Sequence, residues 1–206
     1  EKKISGYAYS HQYDSAQALV LHYLEKKNLS ATEKVYCSYL FGDIVKSSGK
    51  PRDAIKILLG CKNCLDTISG NAKYESLVYG KMAECYFDIM EYDNAKKYAQ
   101  LSFQTNPDSS LDKSGHAVNY MILGYSEYLE KKFSSSLNYY NRSIKEYLTS
   151  GKQCELPLCY MKIAKAYNSM GNEKLAEENI NKAIRLSDSC KIDSYRLLSM
   201  RTLYDI

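Results

Sequence analysis

The chain has no tryptophan, only 3 prolines and 10 glycines in 206 residues, and four phenylalanines beside 21 tyrosines. So few backbone-breaking residues exclude a fold of many short strands, which needs a turn signal every ten residues or so, and favour helices joined by brief turns. Long apolar runs are also missing. No stretch approaches the roughly 20 residues that a membrane-crossing helix requires. Basic clusters are thin: lysines and arginines never run longer than two, and the net charge is only +4, so no dedicated nucleic-acid surface is expected. Catalytic signatures are lacking too, with no glycine-rich phosphate loop, no HExxH, no GxSxG, and three histidines, His11, His22 and His116, far apart in the chain. Neither an enzyme nor a cofactor is expected from this pattern.

What is present is a hydrophobic content of 45% and a charged content of 25%, the mixture of an ordinary folded domain. Seven cysteines, Cys37, Cys61, Cys64, Cys85, Cys154, Cys159 and Cys190, form an odd set spread along apolar faces, which reads as reduced thiols and leans toward a cytoplasmic setting. Cys61 and Cys64 flank Lys62 and Asn63 as a CxxC, but there is no second ligand pair for zinc and no βαβ context for redox chemistry. One buried and one loop thiol is the expectation, with no metal. Two triplets of the glycosylation pattern begin at Asn28 and Asn141; the second falls within a helical stretch, where a chance match explains it.

The strongest signal is repetition. Four segments place two small residues twelve positions apart: Gly42 and Ala54, Ala83 and Ala95, Gly124 and Ser136, Ala164 and Ala176. The second member recurs at intervals of 41, 41 and 40 residues, and an earlier partial copy ends in Ala16. Small residues at that spacing suit the closest approach of two antiparallel helices, and Tyr86, Tyr92, Tyr98, Phe133, Tyr140, Tyr167 and Ile180 lie at helical spacing around them as packing residues. One such hairpin cannot bury its own apolar face, so stacked hairpins are required. Eleven helices are expected, at about 1–10, 12–26, 31–48, 51–64, 71–90, 92–105, 110–131, 133–149, 155–170, 172–187 and 191–205. A capping box at Ser30 and Glu33 opens one, Pro51 stands in the first turn of another, and Asn106, Pro107 and Gly151 close others.

This pattern resembles the tetratricopeptide repeat, most clearly in Tyr79, Met82, Ala83, Tyr86, Ala95 and Pro107 and in Tyr160, Ile163, Ala164, Tyr167, Ala176 and Ala183. Tyr79, Tyr120 and Tyr160 stand where the family usually has tryptophan, and the period exceeds the usual 34 residues. The longer period is found in the tetratricopeptide regions of bacterial signalling proteins. The resemblance implies an all-α, right-handed α-α superhelix: one solenoid over 1–206, with a partial repeat at 1–28, repeats at about 30–69, 70–108, 109–152 and 153–189, and the start of another at 190–206. Tyr195 to Ile206 reads as a first helix without its partner, so the natural polypeptide is expected to continue, and the exposed helix is a surface through which two copies could pair.

The resemblance also places a concave groove on the first helices. Its register selects Tyr39, Asp43 and Lys46, then Glu84, Phe87 and Asp88, then Met121, Tyr125 and Tyr128, and finally Met161, Lys165 and Asn168. Rings, methionines and both signs of charge suit an extended peptide or a helix. The clamp that chaperone-binding members use for a terminal carboxylate is not expected, because its positions carry Tyr39, Asp43, Gly80 and Glu84. The implied function is a non-enzymatic protein- or peptide-binding scaffold, the sensor or interaction region of a larger bacterial signal-transduction protein such as a sensor histidine kinase or transcription regulator. The alternative is a receptor for a short signalling peptide. As the sensor region of a membrane-bound regulator, the chain would be periplasmic.

Overall fold

The structure, a computed structural model, describes residues 12–25, 28–65, 68, 71–106 and 112–205. The helix expected at 1–10, His11, Pro107 and Ile206 lie outside the described residues. Among those described there are ten α-helices and no strand: α1 (Tyr13–Leu24), α2 (Ala31–Ser47), α3 (Pro51–Leu65), α4 (Ala72–Asp88), α5 (Tyr92–Thr105), α6 (Lys113–Leu129), α7 (Phe133–Thr149), α8 (Leu156–Ser169), α9 (Glu173–Cys190) and α10 (Asp193–Tyr204), with a 3-10 turn at Gln153–Glu155 before α8. The chain forms two compact units, Glu1–Asp108 and Ser109–Ile206.

In the first unit α1 packs on α2, α2 pairs with α3, α3 with α4, and α4 with α5, while α4 also touches α2. The second unit repeats the arrangement with α6 and α7, then α8 and α9, and α10 closes against α9 and α8. Second helices bury one stripe: in α3 it is Ala54, Ile55, Leu58, Cys61 and Leu65. First helices bury more of their circumference. In α4 Ser76, Val78, Tyr79, Gly80, Met82, Ala83 and Cys85 are all inside, as befits a helix flanked by its partner α5 on one side and the preceding hairpin, α2 and α3, on another. The eight small residues of the twelve-residue pairs are buried.

A second small pair closes the far end of the hairpins. Ser76 and Ser102 exchange hydrogen bonds, each hydroxyl donating to the other's carbonyl at 2.9 Å, and 41 residues later Ser143 Oγ donates to the Ala117 carbonyl at 2.8 Å. In the other hairpins these positions carry Val35 with Cys61 and Pro157 with Ala183, again buried. At the near end Ser136 Oγ donates to the Gly124 carbonyl at 2.7 Å, so a hydroxyl satisfied by backbone replaces alanine without an orphaned polar group.

All four hairpins turn in the same way. The second residue after each first helix is left-handed, at Gly49 (φ 83°), Met90 (64°), Lys131 (60°) and Gly171 (74°), and the next amide reaches back five residues, Lys50 to Val45, Glu91 to Tyr86, Lys132 to Glu127 and Asn172 to Tyr167, at 2.9–3.2 Å. These are Schellman closures. Glycine suits the conformation at Gly49 and Gly171; Met90 and Lys131 adopt it with a side chain, at a cost of about 1 kcal/mol each. The capping box is present, with Ser30 Oγ accepting from the Glu33 amide at 3.2 Å and Glu33 Oε2 accepting from the Ser30 amide at 2.8 Å. Pro51 begins α3. Asn172 Oδ1 caps α9 through the Leu175 amide at 3.2 Å.

Two cysteines depart from expectation. Cys154 and Cys190 form a disulfide, Cα to Cα 5.6 Å, rather than standing as thiols. Cys154 lies in the 3-10 turn that enters α8, and Cys190 ends α9, which runs three residues past the expected 187. An antiparallel hairpin returns the chain to its own start, so residues 36 apart in sequence meet there. The odd count concealed the pair. Cys61, Cys85 and Cys159 are buried thiols, each pushed up to about 12 by burial, and Cys64 is an exposed thiol, outside any disulfide, within α3 rather than a loop. Among the described residues no cluster of metal-ligating side chains occurs, and no helix is long and apolar enough to cross a membrane.

α10 turns Ser199 and Thr202 inward and leaves Leu197, Leu198, Met200 and Leu203 exposed. Tyr195 ties it to the start of α8 by donating to Glu155 Oε2 at 2.8 Å.

Candidate functional site

In each unit the positions selected for the groove fall on two first helices that touch each other: α2 with α4, and α6 with α8. In the first unit the result is an ionic lattice. Lys46 Nζ stands 3.1 Å from Glu84 Oε2 and 3.3 Å from Asp88 Oδ2; Lys81 Nζ stands 2.9 Å from Asp43 Oδ1 and 2.9 Å from Glu84 Oε1. Glu84, with its side chain 13% exposed, thus joins two lysines. Burial works against its charge, but Lys81 and Lys46 outweigh it and hold the carboxyl below the usual range. For Lys81 burial again opposes the charge, and Glu84, Tyr39 and Asp43 overcome it, keeping the ammonium well above its ordinary value. Lys46 is raised by the same balance, burial opposed by Glu84 and Asp88. Here the charges of the face satisfy one another.

The apolar members of this face are partly withdrawn. Tyr39 packs on the core and stacks on Tyr36, ring centroids 6.3 Å apart. Phe87 meets Tyr92 edge to face at 5.5 Å.

The second unit is built differently. Tyr125 and Tyr128, one turn apart on α6, stack with centroids 6.1 Å apart. Tyr128 also packs on Phe133 at 5.7 Å, and its hydroxyl lies 3.0 Å from Ser169 Oγ at the end of α8. Lys162 of α8 lays its ammonium over the Tyr125 ring, 4.2 Å from the centroid. Lys165 is exposed and Asn168 half-buried on the same helix. Met121 is half-buried against the Ala117 and Cys159 cluster, and Met161, 4% exposed, lies in the core with Ala164 and Ile180. Burial and the nearby Lys165 bring the Lys162 ammonium down to about 8. Among the described residues no carboxylate pairs with Lys162 or Lys165 in the way Glu84 pairs with Lys46 and Lys81.

No family model matches the chain, and no curated protein matches its sequence. Solved structures do match in fold. BtubC (BKLC) from P. vanneervenii superposes with a TM-score of 0.71 at 14% identity, covering 93% of this chain and 81% of BtubC. PlcR from Bacillus thuringiensis, in complex with the peptide PapR7 and DNA, superposes at 0.73 with 13% identity, over 96% of this chain and 71% of PlcR. A Podosopora anserina chain described as a kinesin light chain with nearly identical TPR-like repeats superposes at 0.65 with 10% identity, over 92% of this chain and 93% of that one. The fold is TPR-like. Identities this low speak of architecture alone: an all-α, TPR-like solenoid, as the small-residue register implies.

Within that TPR-like register, sequence reasoning missed Lys81 and Lys162. Both stand two residues before the small residue of the first helix, Ala83 and Ala164, where the other hairpins carry Leu40 and Ile122. The signal was available: a lysine where the repeat otherwise places an aliphatic residue, facing the preceding first helix.

Proposed function

We propose that the chain is a non-enzymatic scaffold that binds an extended peptide or a protein segment along its first helices, chiefly on the α6 and α8 face. The observation that carries this reading is the row formed by Tyr125, Tyr128, Lys165 and Asn168, with Lys162 beside it: partly exposed rings, a cation and an amide in line on two adjoining helices. Rings on rigid helices provide contact area at little entropic cost, and polar ends fix direction. The likeness in fold to PlcR, whose structure holds a peptide, supports the reading. Panning a random dodecapeptide library against the whole chain, followed by calorimetry of selected peptides, tests it. Binding that weakens about tenfold with Tyr125→Ala, a loss of roughly 1.4 kcal/mol, is expected. A library yielding no binder, or binders indifferent to Tyr125→Ala, would refute it.

A second reading concerns context. The scaffold serves as the input region of a bacterial signal-transduction protein, a sensor histidine kinase or transcription regulator. The peptide and DNA together in the PlcR structure support this. Reading the gene on both sides of the chain tests it, and neighbouring segments with neither a kinase nor a DNA-binding region would remove it.

A further inference from the structure

Lys81 and Lys162 occupy equivalent places, each two residues before the small residue of a first helix and each aimed at the preceding first helix. Their surroundings are opposite. Lys81 is held between Asp43 and Glu84 at 2.9 Å from each. In the second unit the places of Asp43 and Glu84, one residue after Gly42 and Ala83, belong to Tyr125 and Lys165, one residue after Gly124 and Ala164. A lysine with two carboxylates has become a lysine with a ring and a second lysine. Among the described residues neither Lys162 nor Lys165 is ion-paired.

The Tyr125 ring attracts the ammonium through its negative face and fixes its position, but it carries no net charge to offset. Withdrawal from water and the neighbouring Lys165 therefore remain uncompensated, which is the cause of the lowered Lys162 value of about 8. At neutral pH the group is still mostly protonated. An arriving carboxylate would meet one ammonium, Lys162, that the Tyr125 ring positions and folding has already withdrawn from water, with the exposed Lys165 beside it, and the Tyr128 hydroxyl with Ser169 Oγ supplies polar neighbours on the same rim. Two lysines with no arginine fork present point charges, suited to a single carboxylate oxygen.

We propose that Lys162, seated on Tyr125 and joined by Lys165, is an anion-receiving subsite that takes a carboxylate of an acidic peptide ligand between α6 and α8. This rests on the peptide-binding reading above and names the chemistry of its ligand. Peptides from the dodecapeptide panning are to be resynthesised with each Glu or Asp changed to Gln or Asn, and measured by calorimetry against the wild-type chain, Lys162→Met and, as a control on the exposed side of α9, Lys174→Met. In parallel, the Lys162 titration is followed by NMR of 13Cε-lysine-labelled whole chain, alone and with glutarate, glutaramide or inorganic phosphate.

Selected peptides are expected to be acidic. One carboxylate should matter about tenfold to a hundredfold, as charge-assisted hydrogen bonds do, in the wild type and in Lys174→Met but not in Lys162→Met. Glutarate should raise the Lys162 titration midpoint, with glutaramide leaving it in place. Peptides that bind equally well as amides overturn the subsite and leave the peptide groove standing; no peptide binding overturns both. A Lys162 midpoint that glutarate does not move, or that only phosphate moves, also overturns the carboxylate assignment. Because Lys162→Met retains the aliphatic stem, a matched melting curve shows that any loss arises from the charge.

Discussion

Replacing Gly124 by alanine probes the closest approach of a hairpin. A Cβ built there would lie 2.6 Å from Tyr140 Cε1 and 2.7 Å from Cδ1, where ordinary contact begins at 3.4 Å. The ring must move by 3.4 − 2.6 = 0.8 Å, and Tyr140 is fully buried. Overpacking costs about 1–3 kcal/mol, and a shortfall of this size against a fully buried ring falls in the upper part of that range, about 2–3 kcal/mol. Alanine regains about 1 kcal/mol of helix propensity over glycine, leaving a net loss of about 1–2 kcal/mol. Gly42 is the matched control: its Cβ would lie 3.0 Å from Leu58 Cδ2 and Cγ, a shortfall of 3.4 − 3.0 = 0.4 Å against an aliphatic side chain. There the propensity gain roughly cancels the crowding, so Gly42→Ala is expected near neutral. With a urea slope of about 2 kcal/mol per molar, Gly124→Ala lowers the far-UV circular dichroism midpoint by about 0.5–1 M. A Gly124→Ala midpoint at or above wild type, or a larger loss for Gly42→Ala, would show that the hairpins do not meet at these residues.

Met90→Gly should stabilise the chain by about 0.5–1 kcal/mol, because the left-handed turn residue is exposed and loses only its steric penalty; a lower melting temperature contradicts the closure. Glu84→Gln should destabilise by about 2 kcal/mol, since two lysines lose their shared partner. The depressed Glu84 carboxyl contributes stability above the ordinary carboxylate range and loses it as pH falls through its lower folded value, so the Glu84→Gln deficit measured by urea melts at pH 7 should shrink in acid. A deficit independent of pH would contradict the lattice. Reducing the Cys154–Cys190 bond, which closes 36 residues, should lower stability by up to about 4 kcal/mol, and Cys154→Ser should be insensitive to reductant; equal melts with and without reductant contradict the pairing.

The helices were legible because their signals are local or periodic. Ser30 with Glu33, Pro51, and the pairs from Gly42 with Ala54 to Ala164 with Ala176 each state a boundary or an approach that a single helix or hairpin realises. The left-handed turns at Met90 and Lys131 were less visible, because a strong closure can impose that conformation on residues that do not favour it. The disulfide depends on hairpin geometry at positions outside the apolar pattern, and counting cysteines could not find it. For the candidate site, the register located Asp43, Lys46 and Glu84 on adjoining helices but gave no hint that they engage one another. Met161 shows the limit of register alone: one position toward the core of α8 separates it from Lys162. What decides such a case is the helix packed opposite, and sequence periodicity describes one helix at a time.

Photo-crosslinking tests the groove most directly. A selected peptide carrying benzoylphenylalanine at successive positions is irradiated with the whole chain, and the attachment points are read by mass spectrometry. Attachment is expected along the first helices, at or beside Tyr125, Tyr128, Lys165 and Asn168. Attachment confined to the outer faces of α7 and α9, at residues such as Asn141 or Glu177, would contradict binding on the first helices.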